Sequence, residues 1–141
     1  MAQPTQVVVT NLTGLAQEIV SGGHRWRADE PVPFGTDTGP SPYQLLLASL
    51  GACTSMTLRL YAQRKGIELH EITVRLTLSR IHADDCNECE TKNGFLDRID
   101  REIELKGSLD ETQKQRLLEI AERCPVHRTL TSEINIRTSV L

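Results

Sequence analysis

Ser41-Pro42-Tyr43-Gln44-Leu45-Leu46-Leu47-Ala48-Ser49-Leu50-Gly51-Ala52-Cys53-Thr54-Ser55-Met56-Thr57-Leu58 is the stretch on which the fold turns. Ser41 can cap the free amides of a helix, and Pro42 fits the first helical position, where no amide hydrogen is needed. Gly66 supplies the stop. From Tyr43 to Leu58 there is no charge, and apolar residues fall on every side of the helical wheel, so the spacing predicts a central helix buried all round. Cations begin at Arg59 and continue with Arg64 and Lys65, at the end where the helix dipole favours them. At about 1.5 Å per residue this helix is roughly 35 Å long, which in so short a chain suggests burial by a second subunit.

Working outward toward the N-terminus, Gln6 to Thr10, Ala16 to Val20 and His24 to Ala28 read as an antiparallel three-stranded opening. They are divided by the turn-prone Asn11-Leu12-Thr13-Gly14 and Ser21-Gly22-Gly23. The prolines and glycines from Asp29 to Ser41 predict a loop crossing the surface. Toward the C-terminus, His70 to Leu78 alternates as a half-buried strand, and Ile99, Ile103 and Leu105 alternate likewise, with Arg101 interrupting their apolar face. An acidic loop lies between these strands. Ser108 and Glu111 suggest a capping box for a helix carrying Leu117, Ile120, Ala121 and Cys124 that ends near Pro125. Glu133 to Thr138 reads as a closing strand.

The 141 residues suit one domain, 1–141, of the α+β class. With 38% hydrophobic and 25% charged residues and a formal net charge of -3, the composition is that of a folded protein and not of a cationic nucleic-acid binder. Only 4% of residues are aromatic, too few for base-stacking platforms. The segment from Met1 to Leu15 lacks the pattern of a secretory signal, and no apolar run is read as reaching membrane-span length, so a cytoplasmic location without membrane or nucleic-acid partners is expected. In that compartment the four cysteines are expected to be thiols, redox centres or metal ligands.

A buried free cysteine ordinarily behaves as a small hydrophobe, and Cys53 and Cys124 each have that reading when taken alone. Together with their surroundings they say more. Gly39-Pro40-Ser41-Pro42-Tyr43-Gln44-Leu45-Leu46-Leu47-Ala48-Ser49-Leu50-Gly51-Ala52-Cys53 resembles the reactive-cysteine helix of the OsmC/Ohr family, the osmotically inducible and organic hydroperoxide resistance proteins. Cys124-Pro125-Val126-His127 resembles that family's second cysteine motif. The likeness runs from about Pro31 to the C-terminus. It implies an OsmC-like α+β fold, with antiparallel sheets and two long central helices in an intertwined homodimer whose sites lie at the subunit interface.

The resemblance also implies a chemistry. Cys53 attacks an organic hydroperoxide and becomes a sulfenic acid, Cys124 condenses with it to a disulfide, and an external dithiol resets the pair without any cofactor. The alternative is a non-enzymatic small-ligand-binding or redox-sensing member of the same family. The best-characterised members organise their thiolate with an arginine from the N-terminal sheet and a glutamate near the helix start. Here Tyr43 and Gln44 stand at the glutamate position, while Arg25, Arg27, His127 and Arg128 are the cationic candidates. A solvated surface charge is the ordinary reading of each arginine.

His82, Cys86 and Cys89 form a His-x-x-x-Cys-x-x-Cys group in the acidic loop, with Asp85 as a weak fourth ligand. The spacing allows zinc, but one CxxC pair is less than a structural zinc site normally uses. Asp84, Asp85, Glu88 and Glu90 disfavour a thiolate here, so an incidental exposed loop is the ordinary reading, with a redox or substrate-linked role as the second and metal as the third.

Overall fold

The computed structural model describes residues 3–141, which divide into two compact units, one up to residue 46 and one from residue 47. In the first unit, β1 (Val8–Asn11), β2 (Gln17–Ser21) and β3 (His24–Ala28) form an antiparallel sheet in the order β1-β2-β3. Both strand links are tight turns, with Gly14 and Gly22 at positive φ. These strands fall within two residues of their predicted bounds.

The loop that follows is organised by one carboxylate. Asp29 is buried and accepts hydrogen bonds from the amides of Glu30, Thr36 and Thr38 and from the hydroxyls of Thr36 and Thr38. Gly35 makes this close wrapping feasible, because a Cβ there would overlap the Glu30 carbonyl oxygen and Asp29 Oδ1. Gln44 has a local role at the end of the loop: its Oε1 accepts from the Ser41 amide at 2.8 Å, and its own amide donates to Ser41 Oγ at 3.3 Å, a reciprocal helix cap.

Helix α1 (Pro42–Lys65) covers 24 residues and ends, as predicted, before Gly66, which has φ +65. Its burial differs from the all-round expectation. Leu50, Gly51, Thr54, Leu58 and Ala62 form a buried stripe, whereas Met56 and Leu60 remain 66% and 60% exposed. Among the described residues, the second unit's own elements cover one face of this helix only. By length and composition it also corrects the reading that no apolar run reaches membrane-span size, since 18 of its residues have a mean hydropathy of 1.3.

In the second unit, β4 (Glu68–His82) and β5 (Phe95–Ser108) form a long antiparallel hairpin that extends well beyond the two predicted strands. A bulge lies between Leu69 and Glu71, where the Arg59 guanidinium donates to the carbonyls of Leu69 and His70. Gly107 faces this turn, and a Cβ there would overlap the Glu68 carbonyl oxygen. Helix α2 (Glu111–Ala121) is capped by Asp110 and Gln113, not by Ser108 and Glu111, because Ser108 is still paired with Glu68 in the hairpin. Leu58 and Ala62 of α1 pack with Leu69, Leu117, Ile120 and Ala121 in the core. Leu58 and Leu117 are fully buried, and truncating a leucine in such a place costs roughly 3 kcal/mol.

Cys124 does not end α2. It is the N-cap of a separate short helix, α3 (Pro125–Leu130), with Pro125 at the first helical position. The predicted closing strand from Glu133 to Thr138 is absent among the described residues, and Ile134 and Ile136 stand exposed. An isolated strand has no source for its ladder hydrogen bonds, and β4 and β5 pair only with each other.

Candidate thiol site

Cys53 and Cys124 meet in the second unit, one from the middle of α1 and the other from the cap of α3. Cys124 is buried, Cys53 is half-buried, and both are free thiols hydrogen-bonded to each other. The start of α3 turns its amides toward the two sulfurs: Val126 N donates to Cys53 Sγ at 3.5 Å, and His127 N donates to Cys124 Sγ at 3.4 Å. This follows from the Cys124-Pro125-Val126-His127 sequence, since the first turn of a helix leaves its amides without internal partners.

The pair is electrostatically unequal. Burial pushes the Cys53 thiol above its ordinary value, and the bond to Cys124 pushes it further in the same direction. Burial also opposes ionisation of Cys124, but hydrogen bonds from Cys53 and the His127 amide, with the neighbouring Thr54 hydroxyl, outweigh it and hold that thiol below its ordinary value. The two directions favour ionisation at Cys124 over ionisation at Cys53.

Beside the sulfurs lies a polar network that the sequence reading did not assemble. The buried Thr54 hydroxyl donates to the Leu50 carbonyl at 2.7 Å and accepts from Arg101 Nη1 at 3.0 Å. Arg101 has a side chain only 10% exposed, and its Nη2 lies 3.1 Å from His127 Nδ1 and 3.5 Å from Glu122 Oε1. A guanidinium only donates, so Nδ1 is the acceptor and Nε2 carries the hydrogen aimed at Glu122 Oε2, 3.3 Å away. The network borders a cavity of about 460 Å³ with Leu50, Ile99 and Leu130 among its apolar walls and Arg101 and His127 among its polar ones.

Of the candidates named from the sequence, Cys53, Cys124 and His127 converge here. Arg128 is exposed on the outer side of α3, its carbonyl accepting from the Ser132 hydroxyl. Arg25, Arg27 and Tyr43 belong to the first unit, where all three are exposed and Arg25 is paired with Glu18. Cys86 and Cys89 are joined in a disulfide, so of the states expected for the cysteines this pair is neither free thiols nor, in this form, two sulfur ligands for zinc. His82 points elsewhere, its Nδ1 accepting from the Asp84 amide at 3.2 Å. Among the described residues no three His, Cys, Asp or Glu side chains are placed to hold a metal ion.

The family model for OsmC-like proteins matches residues 35–139, the greater part of the chain and both cysteine segments. The chain belongs to the OsmC-like family. The OsmC-like protein of Mycoplasma pneumoniae is similar to it with a TM-score of 0.75 and 25% identity, over 92% of this chain and 89% of that one. The organic hydroperoxide resistance protein OhrB of Bacillus subtilis aligns with a TM-score of 0.60 and 24% identity, over 92% and 91%. An organic hydroperoxide resistance protein from Legionella pneumophila gives 0.66 and 19%, over 93% and 91%. No curated protein matches the sequence. These likenesses establish the mixed fold with antiparallel sheets for this OsmC-like protein.

Proposed function

We propose that this OsmC-like protein is a thiol peroxidase that reduces organic hydroperoxides through Cys53 and Cys124. The observation that carries the reading is the hydrogen-bonded pair of free thiols, Cys53 half-buried and Cys124 buried, linked through Thr54 to Arg101, whose guanidinium lines a cavity of mixed apolar and charged walls. Two solved relatives named for organic hydroperoxide resistance support it.

In this mechanism Cys53 Sγ attacks the terminal oxygen of the hydroperoxide as its proton passes to the Cys124 thiolate. The O–O bond breaks, the alkoxide leaves and takes a proton from water, and Cys53 becomes a sulfenic acid. Cys124 then attacks that sulfur, and its proton leaves with the displaced hydroxide as water. An external dithiol returns two electrons and two protons to the disulfide. A second copy of the chain belongs to this proposal, because the Met56 and Leu60 face of α1 and the apolar tail residues Ile134 and Ile136 are exposed in a single chain. So does a cytoplasmic setting, where dithiol reductants are present.

Stopped-flow consumption of one equivalent of an alkyl hydroperoxide tests the reading. Cys53→Ser should abolish consumption. Cys124→Ser should still consume one equivalent and accumulate a trappable sulfenic acid, but its rate should rise only at higher pH, because Cys53 must then ionise without its base. Equal rates in wild type and Cys53→Ser would refute the assignment. Tyr43 and Gln44, which offer no carboxylate, favour the alternative of a small-ligand binder with redox-sensing thiols; that protein would bind alkyl ligands without turning over peroxide.

A further inference from the structure

We propose that Cys86–Cys89 is a second, exchangeable disulfide that accepts electrons from a small thiol reductant carrying no negative charge. The bond lies in the loop joining β4 to β5, and it contributes little as a staple. His82 already pairs with Phe95, and the Ala83 amide donates to the Gly94 carbonyl at 2.8 Å, so the loop is closed at its base without it. A cross-link between residues three apart also removes little chain entropy, because the loop it closes is short. Both cysteines are nevertheless only half-buried.

A groove of about 390 Å³ runs along the disulfide, with Ile81 and Leu96 as apolar surface and Asp85, Glu88, Asp97 and Asp100 as charged lining. Its one cation, Arg98, is already paired with Asp100 at 2.9 Å. This negative field acts on the pair in two ways. It disfavours both thiolates and so favours the uncharged disulfide, which makes the reduced pair an electron donor once formed. It also repels anionic thiols while leaving neutral or cationic ones free to approach.

The two sulfurs differ. Both have acidic neighbours, Cys86 after Asp84 and Asp85 and Cys89 between Glu88 and Glu90, but Lys92, the only cation between residues 83 and 94, donates from Nζ to the Cys89 carbonyl at 2.8 Å. Cys89 is therefore the better leaving group. The incoming thiolate attacks Cys86 Sγ, the Cys86–Cys89 bond breaks, and the Cys89 thiolate departs and takes up a proton. A second thiol then attacks the mixed disulfide, releasing Cys86 as a thiol and leaving the reductant as its own disulfide. Two electrons and two protons reach the protein.

The test uses the full chain with Cys53→Ser and Cys124→Ser, treated with cysteamine, 2-mercaptoethanol or 2-mercaptoethanesulfonate at equal thiolate concentration. Acid quenching and alkylation then locate the mixed disulfide by mass spectrometry. At low salt cysteamine should react about tenfold faster than the sulfonate, with the gap closing in high salt, and the adduct should sit on Cys86 with the alkyl label on Cys89. Reduction only after unfolding, equal rates across the three charges, or an adduct on Cys89 would each overturn the proposal. The same peptide mapped in wild-type protein guards against misfolding of the variant. No peroxide is used, so a failure here leaves the Cys53 and Cys124 reading untouched, and a failure there leaves this one untouched.

Discussion

Arg101 is a cation in a strand face otherwise built from Ile99, Ile103 and Leu105, and desolvating it requires compensation. The compensation is Thr54, His127 and Glu122, which makes Arg101 a positioning residue for the thiols: it fixes the Thr54 hydroxyl, which lies beside Cys124 and helps lower its pKa. Arg101→Ala should slow single-turnover oxidation of Cys53 about tenfold at neutral pH and displace the rate profile toward higher pH. Arg101→Lys should restore part of the rate, since a single ammonium cannot engage both Thr54 and His127. Stopped-flow measurements across pH would check both, and an unchanged profile in Arg101→Ala would exclude the role. The two cysteines were legible because each sits in a recognisable local motif. Arg101 appeared in the sequence only as a break in an apolar alternation, and its partners Thr54 and Glu122 are remote along the chain, so nothing local marked them.

At the level of elements, the loop between β3 and α1 depends on the ionised form of Asp29. Hydrogen bonds from Thr36 and Thr38, side chains first and then the Thr38 amide, hold its carboxyl well below its ordinary value of 3.8. A depressed folded-state pKa stabilises the fold above the ordinary value, and that contribution is lost as the pH falls below about 4 toward the folded pKa. Limited proteolysis should therefore cut between residues 30 and 38 faster below pH 4 than at pH 6, and Asp29→Asn should be cut quickly at both. The N-terminal strands and α1 were readable because β-branched runs, turn residues and a charge-free segment are local signals. The cap of α2 was misread because Ser108 and Asp110 both offer a capping oxygen, and only the reach of the hairpin decides between them. The strand expected from Glu133 to Thr138 has the right alternation but no neighbour, and alternation alone does not supply one.

For the whole molecule, the half-covered α1 is the decisive feature. If a second copy covers Met56 and Leu60, light scattering at micromolar concentration should give twice the chain mass, and Met56→Glu should shift the population to monomer by placing a charge in the buried seam. A monomer mass for the wild type would remove the dimer from the proposal.

The separation of Cys53 and Cys124 along the chain has a thermodynamic consequence. Joining them closes a covalent ring of about 70 residues that holds the whole of the hairpin and all of α2. A ring of that size restricts the unfolded chain by roughly 4 kcal/mol. The oxidised protein should therefore melt on the order of 10 °C above the reduced one, measurable by calorimetry with and without a dithiol. Equal melting points would show that oxidation strains the native state by as much as it restricts the unfolded one. By linkage, whatever the bond adds to folding, folding adds to the bond. The native protein then holds its disulfide more tightly than an unfolded chain would, and resetting it calls for a correspondingly stronger reductant. Peroxide exposure would thus leave the protein spent and hardened against heat at the same moment, until electrons arrive to soften it.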